Sequence, residues 1–287
     1  MSRVPAQETT PQPSIVPPGL PGPFRPLTCL WETPHITWQL TRQELLARYR
    51  GSILGLLWSF ITPLVLLAMF TFVFSIIFEI RWPSRVGDRG EFAVVLFAGF
   101  IVFWLFSDCV GRAPTLIVQN VNFVKKVIFP LEILPWTVLI ASLFHTAVAV
   151  IILLIFHLFV YGLPPLTIIL LPVVLFPFVL MIMGWCWLLA SLGVFFRDIG
   201  HAVNVLLTVF IYTAPIIYPA DAVPETYRPL LYLNPLTFIV DEVRAVMLWG
   251  ELPNWIGLAI YLAAGWLVAW LGFAWFMKTR KGFANVL

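Results

Sequence analysis

Six long apolar blocks, each holding at most two formal charges, leave this chain few ways to fold. They run over about 53–77, 92–118, 133–160, 166–196, 200–218 and 255–277. A helix needs about 20 apolar residues to cross the hydrocarbon of a bilayer. In lipid every backbone N–H and C=O must find a partner inside the protein, which selects helices for single segments. The charged fraction supports this: 11% of the 287 residues are Asp, Glu, Lys or Arg, against about 25% in soluble domains. The expected fold is an all-α integral membrane protein with six transmembrane helices. Its length is counted in spans rather than in soluble domains.

What interrupts the apolar blocks carries the information. Residues 1–37 are rich in proline without a continuous apolar stretch and read as a flexible tail, leaving 38–287 as the transmembrane domain. Within it, 38–50 (WQLTRQELLARYR) has Thr41 and Glu44 at capping-box spacing. Leu45, Leu46 and Tyr49 fall on one face, with Arg42, Arg48 and Arg50 available to the other. That pattern suits a helix lying in the membrane interface, or else the frayed start of the first span. Gly51 and Gly55 would permit close helix approach, and Pro63 a kink. A polar loop with Glu79, Arg81, Arg85, Asp88, Arg89 and Glu91 follows.

Asp108 and Arg112 interrupt the second block four residues apart, so they share a helix face and can pair. Ionisable groups at membrane depth face a bundle interior or a wet cavity; lining a pathway and forming a structural ion pair both remain open. His145 and His157 stand alone and read as packed residues. Asn234–Pro235 has the form of a helix start. The segment behind it, LTFIVDEVRAVMLWG, is too short and charged to cross and would dip into the membrane or lie along its outer surface.

Charge asymmetry gives the orientation. With six crossings, twelve Lys and Arg fall on the side of the termini and five on the other. Basic residues favour cytoplasmic loops, so both termini are expected in the cytoplasm, together with 119–136, QNVNFVKKVIFPLEILPW. No G-x-x-x-x-G-K-[ST] phosphate cradle occurs in the chain, and no metal-ligand spacing does either. Cys29, Cys109 and Cys186 lie far apart. Asp241 and Glu242 are adjacent and point about 100° apart on a helix, a poor arrangement for acting on one substrate atom. These features favour transport over catalysis. Among the aromatics, 13 Trp and 25 Phe included, Trp58, Trp104, Tyr212 and Tyr218 are candidates to line a sugar path.

Four segments then stand in order: RYRGSILGLLWSFITPL at 48–64, NVNFVKKVIFPLEILP at 120–135, FRDIGHAVNVLLTVFIYTAPIIYP at 196–219 and NPLTFIVDEVRAVMLWG at 234–250. Over residues 38–287 the chain resembles the membrane subunit of type-2 ABC exporters for cell-surface polysaccharides, the O-antigen and polyol-phosphate export permeases. The resemblance implies a homodimer of six-helix subunits in the bacterial inner membrane with two copies of a separate nucleotide-binding subunit. ATP and Mg would sit on that partner, and this chain would hold no cofactor and contact no nucleic acid. It implies a cytoplasmic coupling helix at 119–132, with Asn120, Asn122, Phe123, Lys125, Lys126, Phe129 and Glu132 meeting the ATPase. Residues 38–50, with Arg42, Glu44, Arg48 and Arg50, would be the interface helix. Residues 221–250 would form re-entrant periplasmic gate helices, with Asn234, Pro235, Asp241, Glu242 and Arg244. A lipid-linked polysaccharide would pass Trp58, Trp104, Asp108, Arg112, Tyr212 and Tyr218 between the subunits. Capsular polysaccharide or teichoic acid would serve equally as cargo. A membrane-bound glycosyltransferase and a secondary transporter are the readings from other classes.

Overall fold

The computed structural model describes residues 22–77, 91–125 and 129–287. The expected loop at 78–90, Lys126 and the first 21 residues lie outside the described residues. The described chain is helical: α1 (Arg25–Glu32), α2 (Pro34–Ala47), α3 (Trp58–Phe70), α4 (Glu91–Gln119), α5 (Val121–Val124), α6 (Leu134–Tyr161), α7 (Leu171–Phe195), α8 (Ile199–Thr213), α9 (Arg228–Leu231), α10 (Pro235–Arg244) and α11 (Trp255–Val286). Single 3₁₀ turns lead into α3, α6 and α7, and α3 and α10 each end in a π-helical turn.

Among the described residues, five helices are long and apolar enough to cross a membrane: Gly55–Phe74, Phe92–Gln119, Leu131–Phe159, Leu166–Phe195 and Trp255–Val286. The chain is therefore a multi-pass membrane protein. The block read at 200–218 differs. Its helix α8 holds 15 residues, about 22 Å at 1.5 Å per residue, and stops at Thr213. Pro215 is the cause, because the residue before a proline is driven out of the helical region; Ala214 is extended at φ −88° and ψ 148°.

Helix α4 is the centre of the bundle, with α6, α7, α8 and α10 packed around it. Phe97, Phe106, Cys109 and Val110 on it are fully buried. The most extensive packing joins α7 to α11, and glycines bring the two helices close. A Cβ on Gly272 would lie 2.1 Å from the Gly184 carbonyl oxygen, and one on Gly184 would lie 2.4 Å from that of Val268. Lower on the same seam, a Cβ on Gly265 would sit 2.6 Å from the Pro177 oxygen. Small residues let membrane helices touch backbone to backbone, where dispersion replaces the missing hydrophobic drive.

Several expectations need correction. Helical order begins at Arg25, inside the segment read as a flexible tail through residue 37, because Pro26 and Cys29 bury against the bundle. Helix α2 starts at Pro34, so Thr41 is a mid-helix residue and forms no capping box with Glu44. A Cβ on Gly51 or Gly55 would meet nothing within 4 Å, so neither supports a close helix approach; with φ of +83° and +50° they turn the chain between α2 and α3 instead. Helix α11 continues nine residues past Met277, to Val286. Good helix formers such as Lys and Arg carry it on, and Phe283, fully buried against Phe195 and Phe276, holds it down.

Candidate coupling and gate sites

The bundle has two ends of interest. One, here called the base, gathers α1, α2, the described residues 119–125 and 129–133, and the last turns of α11. The other, the crown, gathers the start of α4, the break after α8, and α10 with the turn that follows it.

At the base, four charged side chains knit α2 to α4. Arg48 Nη2 donates to Asp108 Oδ2 at 2.6 Å, and Arg112 pairs with Glu44. Arg48 Nε also lies 3.9 Å from Glu44. Asp108 and Arg112 thus take their partners from a neighbouring helix rather than from each other. Glu44 on α2 and Arg48 just beyond its end reach across to α4, so each of the two residues meets an opposite charge from outside its own helix. Asp108 accepts a second bond from the Ser142 hydroxyl of α6. Burial raises the Tyr49 phenol above its usual pKa, and its hydroxyl makes a long 3.4 Å contact to His145 Nδ1.

Beside this charge cluster lies a cavity of ≈ 310 Å³ between α2, α3, α4 and α6. It brings together three of the sequence-predicted path residues, Trp58, Trp104 and Asp108, with Arg48 and His145. It does not include Arg112, Tyr212 or Tyr218. Tyr212 is 65% exposed on α8, and the Tyr218 hydroxyl donates back to the Tyr212 carbonyl at 2.8 Å. Those two stabilise the chain reversal after α8.

The described part of the segment expected to couple divides into an outward and an inward half. Asn122 and Lys125 are exposed on the short helix α5 and at its end. Asn120 precedes it, and its side-chain amide donates to the Leu116 carbonyl at 2.9 Å, extending the end of α4. Phe123 and Phe129 stack on each other with ring centroids 4.3 Å apart and planes 11° apart. Glu132, expected to face a partner, is turned inward and nearly buried. Arg280 of α11 holds its Oε2 at 2.6 Å and bonds the Phe129 carbonyl at 2.8 Å. The indole of Trp187 donates to the Glu132 carbonyl at 3.0 Å, and that of Trp136 to the Pro26 carbonyl at 3.1 Å. On α2, Arg42 is exposed, and Arg50 is exposed just beyond the helix.

At the crown, Asn234 caps α10 by accepting from the Leu236 N–H at 2.9 Å, while its amide donates to the Phe210 carbonyl and to Thr213. Pro235 takes the first turn, where a missing N–H costs nothing. The segment is buried in the bundle rather than laid along its surface. Arg244, counted above among loop charges, is 1% exposed. Its guanidinium donates to three backbone carbonyls, Val95 at 3.1 Å, Pro215 at 2.6 Å and Ile216 at 2.9 Å. Gly99 makes room for it; a Cβ there would lie 2.8 Å from Nη2. Asp241 lies 3.9 Å from Arg244, and Glu242 Oε2 accepts the Asn254 N–H at 2.9 Å.

Sequence reasoning missed Arg280, Trp187, Ser142 and Tyr49 as site residues. A signal existed only for Arg280, a cation just beyond the last apolar block, on a helix that runs further than the block does. Among the described residues no group of three His, Cys, Asp or Glu side chains is arranged to hold a metal ion.

Fold and site together define a multi-pass helical membrane protein with exposed polar side chains, Asn122 and Lys125, at one end and a buried short helix anchored by Arg244 at the other. The chain belongs to the ABC-2 type transporter family, whose model matches residues 35–248. It is 28% identical over 248 residues to the O-antigen export system permease protein RfbA of Myxococcus xanthus, covering 86% of this chain and 93% of that one. It is 26% identical over 250 residues to a protein of the same name from Klebsiella pneumoniae, with the same shares covered. The polysialic acid transport protein KpsM of Escherichia coli is 24% identical over 251 residues, covering 83% of this chain and 91% of that one.

Proposed function

We propose that this chain is the channel-forming permease subunit of an ATP-driven exporter that carries a lipid-linked, O-antigen-like polysaccharide across the bacterial inner membrane. The observation that carries the reading is the coupling segment. Asn122 and Lys125 project from the base, on a loop held from behind by Arg280, Trp187 and the Phe123–Phe129 stack. A protruding polar element with a firm seat suits the transfer of force from another protein. The chain has no phosphate cradle of its own, so ATP and Mg belong to a nucleotide-binding partner, two copies of which would serve two copies of this chain. Relatives named for O-antigen export support the cargo.

In this reading both termini and the base are cytoplasmic. The partner closes on ATP, moves the coupling segment, and through α2 shifts α3 and α4 by way of the Arg48–Asp108 and Glu44–Arg112 pairs. Helices α3 and α8 of the two subunits would flank the polymer, with α8 and the extended stretch after it as the sixth crossing and α10 as the gate. A relative named for polysialic acid transport supports a capsular polysaccharide as the second choice of cargo. Charge reversal of Lys125 and Lys126 together tests the handle. The expected result is lost association with the ATPase and lost export; full association with normal export would refute it.

A further inference from the structure

We propose that α11 is a rigid strut that fixes the coupling segment and the gate segment at one separation, with Arg280 as the positioning residue at its base end. The inference rests on the function proposed above and adds how the two segments move relative to each other.

Both ends of α11 are fastened, each to a different functional segment. At the base, Arg280 grips the coupling segment twice, through the Glu132 carboxylate at 2.6 Å and the Phe129 carbonyl at 2.8 Å. A planar guanidinium fixes direction as well as distance when it donates two bonds at once. At the crown, the N–H of Asn254, the cap of α11, donates to Glu242 of α10 at 2.9 Å. Further along α11, the Tyr261 hydroxyl donates to the Pro235 carbonyl at 2.7 Å, and its ring stacks on Phe238 at 5.6 Å. The start and the far turn of α10 are thus both tied to the first turns of α11.

Between these fastenings the helix runs unbroken. Residues 255–286 contain no proline and form one continuous α-helix, and kinks in helices arise at prolines, inserted groups or π-bulges. From Asn254 to Arg280 the rise is about 39 Å. Gly265 and Gly272, which would otherwise weaken it, are where it lies backbone to backbone on α7. Helix α7 in turn sends Trp187 to the Glu132 carbonyl and the Ser191 hydroxyl to Thr279 at 2.7 Å. The α7–α11 pair therefore holds the inward half of the coupling segment from two sides. A push on the coupling segment reaches the gate as a displacement of one body, while α2, α3 and α8 move against it.

The test uses the full chain assembled with its nucleotide-binding partner. In Arg280→Gln the complex assembles and hydrolyses ATP, but glycan exported per ATP falls on the order of tenfold. Glu242→Leu, which removes the acceptor of the Asn254 N–H at the other end, gives the same loss, and the double variant is no worse than either single one because both break a single strut. Arg280→Lys, which keeps the charge but cannot reach both acceptors, falls between wild type and Arg280→Gln. Spin labels at Gln119→Cys, an exposed position at the start of the segment, and at Leu252→Cys report the separation directly. It stays the same in ATP-free and ATP-trapped complexes of the otherwise wild-type chain and broadens with Arg280→Gln. A separation that changes on trapping, or an Arg280→Gln complex that exports at the wild-type ratio, overturns the strut. A wild-type chain that never binds the ATPase overturns the function beneath it instead.

Discussion

Arg48 and Asp108, 60 positions apart in sequence, meet at 2.6 Å and fasten the end of α2 to α4. The pair sits beside a second one, Glu44 with Arg112, so α2 and α4 are joined by two charge-assisted contacts one helical turn apart. Thermodynamic cycles separate this arrangement from pairing within α4. Stability measured by denaturant unfolding in detergent should give a coupling of at least about 0.5 kcal/mol between Glu44 and Arg112. The cycle between Asp108 and Arg112 should give close to none. The reverse result would place the pair within α4.

The glycine seam between α7 and α11 predicts an intolerance that composition does not suggest. Gly272→Ala must push two backbones apart, since its Cβ would fall 2.1 Å from a carbonyl oxygen. Overpacking of this kind costs about 3 kcal/mol. A lowered Tm in detergent, with Gly282→Ala near wild type because its nearest neighbour would be a ring atom at 3.5 Å, would bear this out.

Arg244 anchors the buried short helix by filling three carbonyls at the crown. Arg244→Met leaves Val95, Pro215 and Ile216 each short of that donor, at about 1–3 kcal/mol per orphaned group. Arg244→Lys should recover only part of the loss, because an ammonium cannot match three acceptors laid out for a fork. Unfolding of both variants in detergent checks the order: wild type, then Lys, then Met.

The three cysteines are free and buried. Burial pushes the Cys29 thiol up to about 12, and the nearby Glu132 carboxylate adds to the rise. Only the thiolate reacts with maleimide, so labelling at pH 7 should be slow in the folded protein and speed up on denaturation. Rapid labelling of Cys29 in the native state would mean that α1 lifts off the base.

Much of the fold is written in the apolar blocks, because a membrane span is a local property of about 20 residues. The polar segment at 119–132 stands out for the same reason. What local pattern does not carry is which charges meet. The four-residue spacing of Asp108 and Arg112 suggests a pair, but that spacing says only that they share a face, and their partners, Arg48 and Glu44, arrive from 60 and 68 positions away. Glu132 looks like a contact for another protein because nothing in its neighbourhood shows an arginine 148 positions away. The reach of α11 is hidden because its last turns are polar, and the residue that holds them helical, Phe283, is anchored by tertiary contacts. Residues 25–32 read as tail from their prolines, yet Pro26 lies in the first turn of α1, where proline suits a helix.

The most direct test of the account is reconstitution of this chain with its nucleotide-binding partner in lipid vesicles. Lipid-linked glycan should raise ATP hydrolysis and appear on the far side of the bilayer only when ATP is present. The chain without the partner should move none and transfer no sugar. Glycan-independent hydrolysis with no export, or sugar transfer by the chain alone, would contradict it.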